Sequence, residues 1–169
     1  VENRQDTTAL LIIWHSRTGA AQAMAEAARD GAREEAAVAV RHVRAMDAGP
    51  DEVLAASGYL FVCPENLGGM SGEMKAFFDR SYYPVLGRVE GRGYATAVAA
   101  GTAGQGAEAQ IDRIAAGWRL RRVAPSLIVR LGVDTPEAIA APKMVSSGEL
   151  EMCRDLGRSL AVGLQLGIF

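Results

Sequence analysis

Ser16 and Thr18 stand just before Gly19 in the stretch Leu10–Gly19, LLIIWHSRTG, and the residues that follow have helical composition. Two hydroxyl donors and a glycine at the start of a helix suit an oxyanion. The unpaired N–H groups of the first helical turn point at the charge, and the helix dipole favours it. Two more small-residue stretches are candidates for the same site: Pro64-Glu65-Asn66-Leu67-Gly68-Gly69 and Gly101-Thr102-Ala103-Gly104-Gln105-Gly106. The first loop has no G-x-x-x-x-G-K-[ST], hence no lysine for β/γ-phosphates, and no G-x-G-x-x-G follows the first apolar run. Gly101–Gly106 reads G-x-x-G-x-G and comes late in the chain. A single phosphate, as on a mononucleotide, fits this loop better than a pyrophosphate. No Ser/His/Asp or Cys/His set stands out, so no catalytic side chain and no metal ligand is assigned.

The elements that must position these loops follow from periodicity. Thr8–Trp14 reads as a strand buried on both faces, since its apolar run is continuous. A helix over residues 19–35 places Gln22, Glu26, Arg29, Asp30 and Arg33 outward and Ala21, Met24, Ala25, Ala28 and Ala32 toward the sheet. Val38–Val43, carrying Arg41 and His42, is an edge strand, and Gly49-Pro50-Asp51-Glu52 opens a short helix. Tyr59–Cys63 is a strand that breaks at Pro64, and Ser71 caps a helix bearing Met74, Phe77 and Phe78 on one face. Tyr82–Gly93, with Pro84, reads as a connection. Tyr94–Ala100 is the fourth strand, and a helix with Ile111, Ile114, Ala115 and Trp118 inward follows it. Val123–Leu131 is the fifth strand, irregular at its start because of Pro125. Residues 132–143 carry no periodic signal, and Ser146 with Glu149 forms a capping box for the last helix, whose stripe is Leu150, Cys153, Gly157, Leu160 and Leu164.

Strands alternating with helices imply a parallel sheet covered on both faces, with right-handed crossovers. In such sheets ligands bind at the carboxyl ends of the strands, near the point where strand order reverses. All three small-residue loops follow strands, so all three lie at that end.

Composition bounds the function. The 169 residues have a net charge of −2, 49% hydrophobic and 22% charged residues, which describes one globular domain over 1–169 with no electrostatic footprint for nucleic acid or an anionic membrane. Lys75 and Lys143 are the only lysines, and the Ala- and Arg-rich composition reads as a source bias. Cys63 and Cys153 fall in apolar runs and read as buried free thiols. No apolar stretch is long enough to span a membrane, and the N-terminal VENRQDTT has no signal-peptide design, so the expected location is cytoplasmic.

Ser16-Arg17-Thr18-Gly19 resembles the FMN-phosphate loop of the flavodoxin-like superfamily, and the resemblance extends over nearly the whole chain. Ala20 and Ala21 stand where that loop usually carries side-chain donors, leaving more of the binding to backbone N–H groups. Pro64–Gly72, running into Glu73–Arg80, is similar to the second flavin loop of the NAD(P)H-dependent FMN reductases and related quinone reductases. Gly101 onward, with Thr102, Ala103, Gly104 and Gly106, is similar to the loop beside the isoalloxazine ring.

The resemblance implies an α/β flavodoxin-like three-layer sandwich, with a five-stranded parallel sheet in order 2-1-3-4-5 and helices on both faces. It also implies non-covalent FMN. The phosphate would lie at Ser16–Ala21 and the ring between Glu65–Gly69 and Gly101–Gly106. NAD(P)H would be the co-substrate and a quinone or flavin the acceptor. Flavodoxins that only carry electrons usually cover the ring with aromatic residues and are strongly acidic, whereas this sequence offers Leu67 and Met70 there. That favours a reductase over an electron carrier or a member that has lost FMN. Glu65 and Asn66 either bond the ring or close a turn. Tyr82–Val89 and residues 132–143 are the candidates for a homo-oligomer contact or a lid. His15, Trp14 and Trp118 read as structural, and Arg119, Arg121 and Arg122 as a solvated run.

Overall fold

The computed structural model describes residues 7–35 and 37–169, so the expectation placed on the N-terminal VENRQD lies outside the described residues. Strand β1 (Ala9–Trp14) is central. Its alternate side chains serve two separate cores, as strand geometry requires. Leu10 and Ile12 pack with helices α1 (Ala20–Ala32) and α6 (Ser147–Gln165). Leu11 and Ile13 pack with α2 (Pro50–Ala55), α3 (Gly72–Val85) and α4 (Gln105–Gly117). A run hydrophobic on every residue is what a strand covered on both sides needs.

The sheet runs β2 (Ala39–Arg44), β1, β3 (Gly58–Asn66), β5 (Gly93–Ala100), then β6 (Arg121–Arg122) and β7 (Leu127–Arg130), which both pair with β5. All these pairings are parallel. Counting β6 and β7 as one interrupted fifth strand gives the expected order 2-1-3-4-5. The interruption spans Pro125, which has no N–H to give to a ladder.

The two cores differ in texture. On the α2–α4 face Phe61 meets Phe78 with ring centroids 4.9 Å apart, and Phe78 meets Trp118 edge-on at 5.3 Å. On the other face, α1 and α6 meet through alanine and glycine. A Cβ added at Gly157 would lie 1.9 Å from the Ala28 carbonyl oxygen, and one at Gly31 would lie 2.0 Å from that of Arg154. Only glycine permits that approach of two backbones. Cys63 and Cys153 are buried and free, and burial pushes both thiols up to about 12.

Several local expectations are corrected. Strand β3 does not break at Pro64. It continues to Asn66 and turns back to pair antiparallel with β4 (Gly69–Met70). Val62 O accepts from His15 N, so even-numbered positions of β3 face β1, and at Pro64 that neighbour has already ended. The missing proline N–H therefore costs no ladder bond.

Helix α3 runs through Pro84 to Val85 instead of stopping before Tyr82. Its last turn stays docked because Ser81 and Val85 are buried, while Tyr82 and Tyr83 are exposed. Residues 132–143 contain α5 (Pro136–Ala140), capped by Thr135, whose Oγ1 accepts from Ala138 N. Trp118 is core, but Trp14 is only half-buried and stacks on His42 at the sheet edge. Two arginines do structural work that composition conceals. Arg80 donates to Ala45 O and Ala48 O, and Arg92 donates to Val53 O, Leu54 O and Ala56 O at the end of α2.

Candidate functional site

The carboxyl ends of β1, β3 and β5 open into a cleft of about 660 Å³, within the usual size of a small-molecule or cofactor site. Its walls include Ser16, Arg17, Thr18, Ala20 and Ala21 from the first loop, Pro64, Glu65, Asn66 and Leu67 from the second, and Gly101 and Thr102 from the third. Three stretches separated by some fifty and thirty-five residues in sequence are thus brought to one place. Gly19, Gly68, Gly69, Ala103, Gly104 and Gly106 shape the turns but do not line the cleft. Met70 is buried in the core beneath it.

Gly19 sits at the start of α1 with φ 104°, in the left-handed region that favours glycine. Its N–H donates to Ser16 Oγ at 3.1 Å, which leaves the serine proton free to point elsewhere. Ala23 N returns to Gly19 O, while no acceptor within the described chain takes the N–H groups of Ala20, Ala21 and Gln22. The first turn of α1 therefore presents unspent donors at the cleft, with no acidic side chain in that turn.

The start of α4 has the same backbone, Gly104 at φ 103°, but is already filled. Glu65 reaches across from β3, accepting from Gly104 N at 2.9 Å and from Ala107 N at 3.1 Å. The Glu65 carboxylate thus caps α4 rather than its own turn. It also locks the second loop to the third. Gly106 completes the lock, since a Cβ there would lie 2.0 Å from Gly68 O. Between β3 and β4, Leu67 and Gly68 both have positive φ, 52° and 75°, the signature of a type I′ hairpin turn. Leu67 is fully exposed at the cleft wall.

Below the first loop, His15 Nδ1 is hydrogen-bonded to Ser71 Oγ at 2.9 Å, so the Ser71 hydroxyl ties α3 to the end of β1 and does not cap its own helix. Glu73 Oε1 lies 3.5 Å from His15 Nε2 and accepts from Arg17 Nη2 at 3.0 Å. Burial holds the His15 imidazole below its usual range, with Glu73 opposing and Arg17 reinforcing that shift.

The part of the cleft that sequence reading did not assign comes from three places. Ala99 and Ala100 end β5, Leu131 follows β7, and Val133, Asp134, Ile139 and Lys143 belong to the connection around α5. That connection is pinned at both ends, by Gly132 N to Gly101 O and by Lys143 N to Thr18 O, each at 2.8 Å. The small residues of β5 were a usable signal for a strand end approached by a ligand. The aperiodic connection carried no binding motif, only the expectation of a homo-oligomer contact or a lid. Among the described residues no aromatic side chain lines the cleft, no group of three metal-ligating side chains occurs, and no helix is long and apolar enough to cross a membrane.

The family model described as NADPH-dependent FMN reductase matches residues 31–127. A flavodoxin from Aquifex aeolicus (strain VF5) is 31% identical over 157 residues, covering 90% of this chain and 84% of that protein. An NAD(P)H dehydrogenase (quinone) from Acidithiobacillus ferrooxidans is 29% identical over 92 residues, 43% of this chain and 46% of that one. Among solved structures, a flavodoxin from the domain Archaea superposes with a TM-score of 0.75 at 19% identity, covering 94% of this chain and 99% of that chain. This last likeness is one of fold. With the parallel order, the loop cluster and the family match taken together, the chain belongs to the flavodoxin-like, FMN-binding family of the NADPH-dependent FMN reductases.

Proposed function

We propose that this chain holds FMN non-covalently in the cleft and works as an NAD(P)H-dependent oxidoreductase that reduces a small acceptor, a flavin or a quinone. One observation carries the reading. The first turn of α1 offers open N–H groups and the Ser16 and Thr18 hydroxyls, at the end of a cleft walled by the other two loops. These donors fit a phosphate, and the small Ala99, Ala100 and Gly101 leave room for a planar ring beside them.

Bound FMN supplies the hydride and electron chemistry, and the protein supplies position and electrostatics. The backbone of Ser16–Ala21 holds the phosphate. Asn66 and the backbone of Glu65–Leu67 and Gly101–Thr102 border the ring, with Glu65 fixing the spacing of the two loops through α4. The aliphatic Leu67, Val133 and Ile139 on the walls support an accessible ring face at which a nicotinamide and then an acceptor can stack. A contact between two copies through the exposed Tyr82 and Tyr83 belongs to the same reading. A fully active monomer in sedimentation would remove that contact.

The likeness to a flavodoxin over 90% of the chain favours a second reading, an electron carrier between protein partners. The visible spectrum separates the two. The protein is incubated anaerobically with FMN, desalted and mixed with NADPH or NADH. The reductase reading expects retained flavin absorbance that bleaches on adding nicotinamide. Retained flavin that neither nicotinamide bleaches selects the carrier, and loss of the flavin on desalting overturns both.

A further inference from the structure

We infer that Lys143 is the counter-charge for the FMN phosphate, delivered to the phosphate loop by the connection that carries α5. The inference rests on the FMN reading above. Two cationic side chains line the cleft, Arg17 and Lys143. Arg17 is turned toward α3 and paired with Glu73 at 3.0 Å, so its charge is largely met. Lys143 stands differently. Its backbone N–H donates to Thr18 O at 2.8 Å, fixing its Cα beside the loop, and its carbonyl oxygen is the nearest group to the open side of Gly19.

The ammonium donates to the carbonyl oxygens of Ile139, at 2.7 Å, and Ala141, both exposed at the end of α5. These acceptors are neutral and solvent-facing. A phosphate on the first turn of α1 is a charged acceptor, and hydrogen bonds between ionised partners are roughly twice as strong as neutral ones. The flexible four-carbon stem lets the ammonium exchange the two carbonyls for the phosphate without moving the backbone.

The loop itself brings no unpaired cation. Ala20 and Ala21 contribute no side-chain donor, and the last basic residue before α1 is the paired Arg17. Lys143 therefore adds the charge that the loop lacks. Because it comes from the α5 connection, that connection is held to the cleft more tightly when phosphate is present.

Titration of flavin-free protein with FMN and, separately, with riboflavin tests this, read by quenching of flavin fluorescence. Lys143→Gln is expected to weaken FMN binding tenfold or more while changing riboflavin binding less than twofold. Lys143→Arg is expected to recover most of the loss, and Arg17→Gln to weaken FMN binding less than Lys143→Gln does. Unchanged FMN affinity in Lys143→Gln overturns the assignment, as does a parallel loss of both ligands, which would mean that the connection merely supports the cleft. Equal wild-type affinity for the two ligands overturns the phosphate contact and leaves flavin binding standing. Failure of wild-type protein to bind either flavin defeats the reading beneath it.

Discussion

Helices α1 and α4 begin with the same turn. A glycine with φ near +104° and ψ of −22° starts each, and each follows a parallel strand whose carboxyl end faces the cleft. They differ in what meets the exposed N–H groups. At α4 the protein supplies its own anion, Glu65. At α1 it supplies none, and Glu73, below the first loop, is engaged by Arg17 and close to His15. A helix start is therefore not a binding site because of its geometry. It is one when the chain leaves its charge unanswered. The filled start holds two loops together, and the open one is where the proposed phosphate would sit.

The most severe way to break this pair is to put a Cβ into each turn. Gly104→Ala meets Ile128 Cγ2 at 2.4 Å in addition to its positive φ, whereas the nearest atom to a Cβ at Gly19 is 3.7 Å away. Gly104→Ala is expected to cost roughly 3 kcal/mol and Gly19→Ala roughly 1–2 kcal/mol, from backbone strain alone in the second case. Urea unfolding compares the two midpoints, and equal losses would mean that the clash relaxes freely.

Glu65→Ala comes next. It orphans two N–H groups at α4 and is expected to cost about 1–3 kcal/mol. In the same variant FMN affinity should fall, because the second and third loops lose their tie. Calorimetry and flavin titration on one preparation check both.

Leu67→Asn sharpens the comparison in the opposite direction. Asn-Gly suits a type I′ turn, and relieving positive φ at Leu67 should stabilise the fold by roughly 1 kcal/mol. A lower unfolding midpoint would show that the exposed leucine contributes more than strain.

The mildest perturbation is pH. Burial is the largest cause lowering both histidines from 6.5. Glu73 opposes it at His15, and Glu26 and Asp30 oppose it at His42. The unfolded chain then binds protons that the folded chain does not, so this contribution is complete above about 6.5 and is lost as pH falls through the lowered values. Urea midpoints should decline from pH 7 to pH 5, and the decline should be shallower in His15→Gln. A midpoint that rises on acidification would contradict the sign.

Much of the architecture was legible because local signals agreed with one another. Leu10–Ile13 declared a strand covered on both faces, the alanines of α1 a face turned to the sheet, and Ser146 with Glu149 a helix start. The loops at the cleft were legible for the same reason, since glycines mark turns whatever surrounds them. What escaped was set at a distance. Pro64 reads as a stop unless one knows that β1 has ended beside it. Glu65 looks available for a ligand until α4 is in place above it. Lys143 belongs to a segment read only as a contact or a lid, and a backbone bond to Thr18, far away in sequence, is what brings it to the cleft.

The glycine contact between α1 and α6 bears on how the chain is made. Synthesis delivers the loop at residues 16–19 and α1 well before α6, the helix that fits against Ala28 and Gly31 and lies more than a hundred residues downstream. Closing so long a loop is slow, and long-range contacts of this kind set the pace of folding. During translation the alanine face of α1 must wait, exposed, until residues 147–165 have left the ribosome. A ribosome-bound chain truncated before Ser147 should accordingly be a client for chaperones and a poor binder of flavin.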